Sequence, residues 1–208
     1  MKTFEELGVN ENIRRAIEEL GFEHPMPVQE EVIPYLLGKK NDVIALAQTG
    51  TGKTAAFGLP VLQKIDAENK AIQAIILSPT RELCVQIADD LKDFSKYINA
   101  LHVVAVYGGA DIRPQMKAIK HGAQIIVATP GRLVDLINRG VMVLDEVNNV
   151  VLDEADEMLN MGFIEDIENI FSKANPEARV LMFSATMPKQ ILTIASDFMG
   201  DYEMVEEE

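Results

Sequence analysis

Short apolar runs rich in Val and Ile recur along this chain, and longer stretches with helical spacing separate them. That alternation limits the fold more than any other feature of the sequence. The runs lie at 42–47, 74–78, 102–107, 124–129, 149–153 and 179–184. A strand that is continuously apolar is one buried on both faces. Such strands alternating with amphipathic helices predict an α/β fold: a mostly parallel sheet with helices on both faces. Two helices should precede the first run. Asn10 is placed to cap one that ends near Gly21. Pro27 is placed at the first turn of the other, with Pro34 as a kink and Gly38 near its end. In open α/β sheets, ligands bind at the carboxyl ends of strands. The residues just after each run are therefore the ones that matter for function.

After the first run comes Ala47-Gln48-Thr49-Gly50-Thr51-Gly52-Lys53-Thr54, and then a helical segment. Glycines let such a turn wrap so that successive N–H groups point inward, and the helix start adds positive dipole. The whole suits a triphosphate. Lys53 is placed to neutralise the outer phosphates, and the Thr54 hydroxyl to ligate Mg²⁺. The general P-loop pattern has glycine where this chain has Ala47. After the fifth run comes Asp153-Glu154-Ala155-Asp156. If its strand neighbours the phosphate loop, Asp153 can hold the hydration shell of Mg²⁺, and Glu154 can orient or deprotonate the attacking water. The same acidic residues would also suit a plain helix start.

In one-letter code, residues 153–156 spell DEAD, and the chain resembles the DEAD-box ATP-dependent RNA helicases along essentially its whole length. Gly21-Phe22-Glu23-His24-Pro25-Met26-Pro27-Val28-Gln29 resembles that family's Q motif, with Val28 where isoleucine is usual and Phe4 at the upstream aromatic position. Ala47 to Thr54 matches the family's own form of the P-loop, alanine included. Pro79-Thr80-Arg81-Glu82-Leu83, Gly108-Gly109, Thr129-Pro130-Gly131-Arg132, Met161-Gly162-Phe163 and Ser184-Ala185-Thr186 follow in the family's order.

The resemblance implies a RecA-like P-loop NTPase domain over residues 1–208. The Q motif would span about 2–30, and an acidic tail or linker would begin near 201. It implies ATP and Mg²⁺ as cofactors. Lys53, Asp153 and Glu154 would be catalytic, and Thr54 and Asp153 would face the metal. Nucleotide would be bound by Ala47, Gln48, Thr49, Gly50, Thr51, Gly52, Lys53 and Thr54 together with the Q motif. There Gln29 would read adenine through one donor and one acceptor, Phe22 would stack on the base and Phe4 would support it. Pro79, Thr80, Arg81, Gly109, Thr129, Pro130, Gly131 and Arg132 would contact single-stranded RNA backbone with little sequence preference. The Thr80 and Thr129 segments also read as capped helix starts, and both readings can hold together. Asp156, Ser184 and Thr186 would couple hydrolysis to RNA remodelling. The family's second RecA-like lobe, with its arginines, is not found in the sequence, so the chain is expected to turn over ATP very slowly by itself. Two further readings stay open: an ATP-gated RNA clamp that does not unwind, and a different P-loop class such as a small-molecule kinase or a DNA motor.

Composition sets limits on all of this. With 208 residues, 48% of them hydrophobic, the chain suits one domain with a real core. The formal charge of −14 excludes nucleic-acid binding by bulk electrostatics, so any RNA contact must be local. The acidic end, DYEMVEEE, reads as a solvated tail with a short strand in it. No apolar run nears the roughly 18 residues that span a bilayer, and the acidic start has no signal-peptide character. Cys84 is the only cysteine. That predicts a monomeric chain in the reducing cytoplasm, free of disulfides and membrane. Cys84 falls on an apolar helix face, Met158 and Met161 read as core, and His24, His102 and His121 lack metal-ligand spacing.

Overall fold

A computed structural model describes residues 1–48 and 52–206. Among them, seven strands form one all-parallel sheet: β1 (Asp42–Leu46), β2 (Ala74–Leu77), β3 (Val103–Val106), β4 (Ile125–Ala128), β5 (Asn149–Leu152), β6 (Arg179–Ser184) and β7 (Tyr202–Glu206). Their order across the sheet is β3-β4-β2-β5-β6-β1-β7. The first six are the apolar runs. The seventh is the short strand expected within the acidic end, and it pairs with β1 through Glu206 as a mostly exposed edge strand.

Each strand sends alternate residues into two cores, one per face. Val43, Ile76, Val151, Leu181 and Phe183 enter the first. Ile44, Ile75, Leu77, Val150, Leu152 and Met182 enter the second. Four helices cover the first face: α1 (Glu11–Glu19), α2 (Pro27–Gly38), α3 (Lys53–Gln63) and α4 (Arg81–Phe94). Five cover the second: α5 (Ile112–His121), α6 (Pro130–Asn138), α7 (Ala155–Asn160), α8 (Ile164–Lys173) and α9 (Lys189–Phe198).

Local chemistry sets the helix limits. The Asn10 side chain accepts from Ile13 N at 3.2 Å and starts α1. Pro27 opens α2, which runs on through Pro34 to Gly38. Its carboxyl end is closed by two cations, because Lys64 Nζ and Arg179 Nη1 both donate to Leu36 O, at 2.6 and 2.8 Å. The segment 154–173 has one continuous helical pattern in sequence, yet it folds as two helices. Gly162, at φ +84, ends α7, with Gly162 N bonded to Leu159 O and Phe163 N to Met158 O. Met158 is buried as expected. Met161, expected in the core, is the C-cap of α7 and is 46% exposed.

The connections decide where ligands can enter. The chain leaves β1 and β2 for the first face, through α3 and α4. It leaves β3, β4, β5 and β6 for the second. β1 therefore sits between β6 and β7, and β2 between β4 and β5. At each of these strands, neighbouring loops part toward opposite faces, which opens a crevice at the carboxyl end. The described residues form two such crevices, one at β1 and one at β2. The phosphate-loop residues follow β1, and Pro79-Thr80-Arg81 follow β2.

Candidate functional site

The first crevice holds an acid–base centre built from two strand ends. Gly52, the N-cap of α3, puts Lys53 at that helix's first position. β5 delivers Asp153, whose N–H bonds Leu77 O of β2 at 2.9 Å. Lys53 Nζ lies 2.9 Å from Asp153 Oδ1, and both residues are buried. Burial pushes the Asp153 carboxyl above its ordinary range, and Lys53 draws it back only in part. Although the charges pair, Asp153 Oδ1 makes no hydrogen bond of good angle. A buried, charged oxygen short of a hydrogen bond suits a hard divalent cation or one of its waters. The half-buried Thr54 lines the same cavity, of about 570 Å³, and its hydroxyl is a second oxygen donor. Thr49, Gly50 and Thr51 lie outside the described residues.

Glu154 also lines this cavity, and its backbone is unusual. It holds φ 52, ψ 51, the left-handed region, as the N-cap of α7. Burial raises its carboxyl above the ordinary value, with Lys53 opposing. A carboxylate so tuned is a better proton acceptor than a free glutamate.

A chain of bonds links this centre to the following strand. Ala47 N donates to Ser184 O at 3.0 Å. Ser184 Oγ donates to Thr186 O at 2.6 Å, and both Thr186 N (3.1 Å) and Thr186 Oγ1 (2.8 Å) donate to Asp156 Oδ2. Burial alone would raise the Asp156 carboxyl, but these and neighbouring hydrogen bonds, led by that of Thr186, hold it below its usual range. Thr186 thus makes two bonds to Asp156, whereas the Ser184 hydroxyl bonds the Thr186 backbone and adds a smaller lowering influence on the same carboxyl.

The Q-motif residues converge on the same cavity from α1 and α2. Gly21 and Phe22 close α1, with Gly21 N bonded to Glu18 O and Phe22 N to Ile17 O, and this fixes where the Phe22 ring goes. Phe22 lines the cavity. Phe4 is buried behind it, ring centroids 6.2 Å apart, and Phe94 packs edge-on at 5.9 Å. Gln29 is 1% exposed, which its expected reading of adenine did not foresee. Gln29 Oε1 accepts from Met26 N at 2.9 Å, and Nε2 donates to Gly52 O at 3.1 Å. Met26 packs beside it. A Cβ on Gly52 would stand 2.9 Å from both Gln29 Nε2 and Met26 Sδ, so only glycine fits there. Gln29 therefore clamps the phosphate loop to α2 and keeps one N–H and one lone pair unspent.

The second crevice gathers the loops after β2, β3 and β4. Thr80 Oγ1 caps α4 by accepting from Leu83 N at 3.2 Å. Arg81 is exposed, its Cζ 4.9 Å from the centroid of the Tyr107 ring. Gly108 and Gly109 are exposed, and Gly131 is half-buried. Pro79, Thr129 and Pro130, expected to touch RNA, are buried and shape the turns from beneath. Thr129 Oγ1 accepts from Gly108 N at 3.3 Å. Arg132 turns inward as well. Its Nη1 donates to Gln115 Oε1 at 2.8 Å and its Nη2 to Ala110 O at 3.0 Å. Sequence reasoning did not single out Gln115 or Tyr107. A signal for Gln115 existed, because it sits on the apolar stripe of α5 with Ile112, Met116 and Ile119.

The family model for the DEAD/DEAH box helicase matches residues 26–194, most of the chain and all of the acid–base centre. This chain belongs to the DEAD/DEAH box helicase family. Among relatives of this helicase domain, the DEAD-box ATP-dependent RNA helicase CshA of Geobacillus kaustophilus is 51% identical, over 99% of this chain and 44% of its own length. The ATP-dependent RNA helicase DeaD of Escherichia coli K12 is 49% identical, over 98% of this chain and 32% of its own. A crystal structure of a DEAD box protein from the hyperthermophile Methanococcus jannaschii superposes with a TM-score of 0.94 at 47% identity, covering 99% of this chain and 56% of that one. The helicase domain described here thus spans between about a third and a half of the curated relatives it matches. The parallel sheet with helices on both faces is the fold of its structural neighbours.

Proposed function

We propose that this chain is the ATP-binding lobe of an ATP-dependent RNA helicase. In this reading it binds Mg-ATP in the first crevice and single-stranded RNA in the second, and in the whole protein it couples hydrolysis to local RNA unwinding. The observation that carries the reading is the buried Lys53–Asp153 pair between the phosphate loop and Glu154. Arriving phosphates would draw Lys53 away from Asp153. The freed carboxylate and the Thr54 hydroxyl would then face Mg²⁺, which supplies positive charge to the phosphoryl oxygens. Among the described residues no three His, Cys, Asp or Glu side chains cluster as a metal site. The rest of the metal's shell would come from phosphate and water, the usual arrangement for Mg²⁺. Glu154 would accept the proton of the attacking water.

Names of the relatives support RNA as partner, and the helix starts of the second crevice suit phosphate. Thr80 caps α4 with its side chain, whereas Thr129, expected to cap α6, makes no such bond because its Oγ1 is taken by Gly108 N. A second lobe in cis would add an arginine at the transferred phosphate, worth about 10³- to 10⁵-fold in related NTPases. The thiol of Cys84, buried and pushed up to about 12, is unreactive, and a chain with this single cysteine suits the cytoplasm. No described helix is long and apolar enough to cross a membrane.

The test is a titration of the chain with Mg-ADP and with Mg-GDP, before and after Gln29→Ala. The expected result is a preference for ADP that the substitution abolishes. If Gln29 serves only as the clamp on Gly52, both nucleotides will weaken by the same factor and the preference will survive. That outcome would remove the adenine-reading role. Binding of neither nucleotide by the unaltered chain would remove the whole assignment.

A further inference from the structure

We infer that Gln115 is the positioning residue of the RNA-facing crevice, holding the Tyr107–Ala110 turn in its binding shape without touching RNA. The inference rests on the RNA reading proposed above. Gln115 is 8% exposed, so a ligand on the surface cannot reach it. Its amide is nonetheless at the centre of the turn's hydrogen bonds. Oε1 accepts from Tyr107 N at 3.1 Å and from Arg132 Nη1 at 2.8 Å, while Nε2 donates to Tyr107 O at 3.2 Å. One side chain thereby holds both polar groups of the Tyr107 backbone and fixes the guanidinium that in turn holds Ala110 O at 3.0 Å.

The turn needs such support. Gly109 has φ +79 and is exposed, and a Cβ built on it would meet nothing within 4 Å. Glycine here serves conformation, not packing, and glycine-rich turns lose the most entropy when ordered. The Tyr107 ring also carries Arg81, an exposed cation of this face. Moving the Tyr107 backbone would move Arg81 with it. Gln115 therefore ties three pieces of the crevice to α5: the glycine turn, Arg132 after β4 and Arg81 after β2. Ordering them before binding lowers the entropy cost of capturing a flexible strand. Glutamine is the side chain that does this, because it both accepts and donates at one short amide.

The experiment uses the 208-residue chain with a fluorescent single-stranded oligouridylate as RNA probe, Mg-ADP as nucleotide probe and thermal unfolding as control. Gln115→Leu removes all three bonds at similar volume. RNA affinity should fall about tenfold, the cost of ordering the released turn on binding, while ADP affinity stays within about twofold. Gln115→Glu keeps the accepted bonds, with Arg132 still held, but sets an oxygen against Tyr107 O in place of the donated bond, so its RNA affinity should fall by less than that of the leucine variant. Arg132→Ala added to Gln115→Leu should cost far less than the sum of the separate losses, since both act through one turn. Equal RNA affinity for Gln115→Leu and the unaltered chain would overturn the inference, and so would parallel losses of RNA and ADP or full additivity with Arg132→Ala. Should the leucine variant not fold, a glutamate variant that binds RNA as tightly as the original would overturn it as well. No RNA binding by the unaltered chain, with ADP binding intact, would mean that the RNA reading itself has failed.

Discussion

Glu154 shows how function opposes stability at a single position. A non-glycine residue in the left-handed region costs about 1 kcal/mol or more, and burial adds a cost for its charge. Glu154→Gly should therefore raise the urea midpoint, by roughly 1 kcal/mol in stability, while abolishing the ATP turnover proposed for the whole protein. Glu154→Gln should abolish turnover without relieving the backbone. The pH dependence has a definite sign. Because the folded carboxyl titrates above its ordinary value near 4.3, the acid limb of turnover should also lie above that value. The charge cost should appear as pH rises from the unfolded value through the folded one, so Glu154→Gln should gain stability at neutral pH and none below about pH 4. Asp156 has the opposite sign. Its carboxyl is lowered, so it stabilises above its unfolded value and loses that contribution as pH falls through the folded one. Asp156→Asn should flatten acid unfolding below about pH 4. Residues named by chemistry in a fixed order, such as Lys53, Asp153 and Thr186, were legible in the sequence. The left-handed backbone of Glu154 and the buried amides of Gln29 and Gln115 were not, because each depends on partners that only the folded chain brings close.

Elements were legible where burial writes a pattern. Six strands appeared as apolar runs because the sheet is covered on both sides. β7 was less plain, since it lies at an edge and is mostly exposed. The break between α7 and α8 was hidden because Gly162 interrupts a pattern that is helical on either side of it. Packing between α3 and α4 is equally silent in sequence and gives a prediction. A Cβ on Gly58 would stand 2.8 Å from Leu91 Cδ2, with Phe94 at 3.8 Å behind it. Helix propensity favours alanine over glycine by about 1 kcal/mol, but overpacking a closed core costs about 1–3 kcal/mol. Leu91 is fully buried, so its side chain must shift within the core to make room. Gly58→Ala should thus be destabilising overall, by about 1 kcal/mol in a urea titration.

For the molecule as a whole, the acidic total and the RNA reading are reconciled by where the cations sit. Arg81 is exposed on the second crevice, while Arg132 and Arg179 spend donors on the fold. Few phosphates can be neutralised, so the plot of log affinity for single-stranded RNA against log salt should be shallow, with a slope no steeper than about −2. A much steeper slope would mean that cations outside this crevice also contact the RNA. The sheet order also has a mechanical side. β7 runs parallel to β1, and its last paired residue, Glu206, lies opposite Leu46, one residue before Ala47. Tension on the chain beyond Glu206 would load the rungs of this pairing one at a time, beginning at the end beside the phosphate loop. The edge strand then works as a zipper whose slider rests beside Ala47, and a pull from outside is felt first at the proposed nucleotide site.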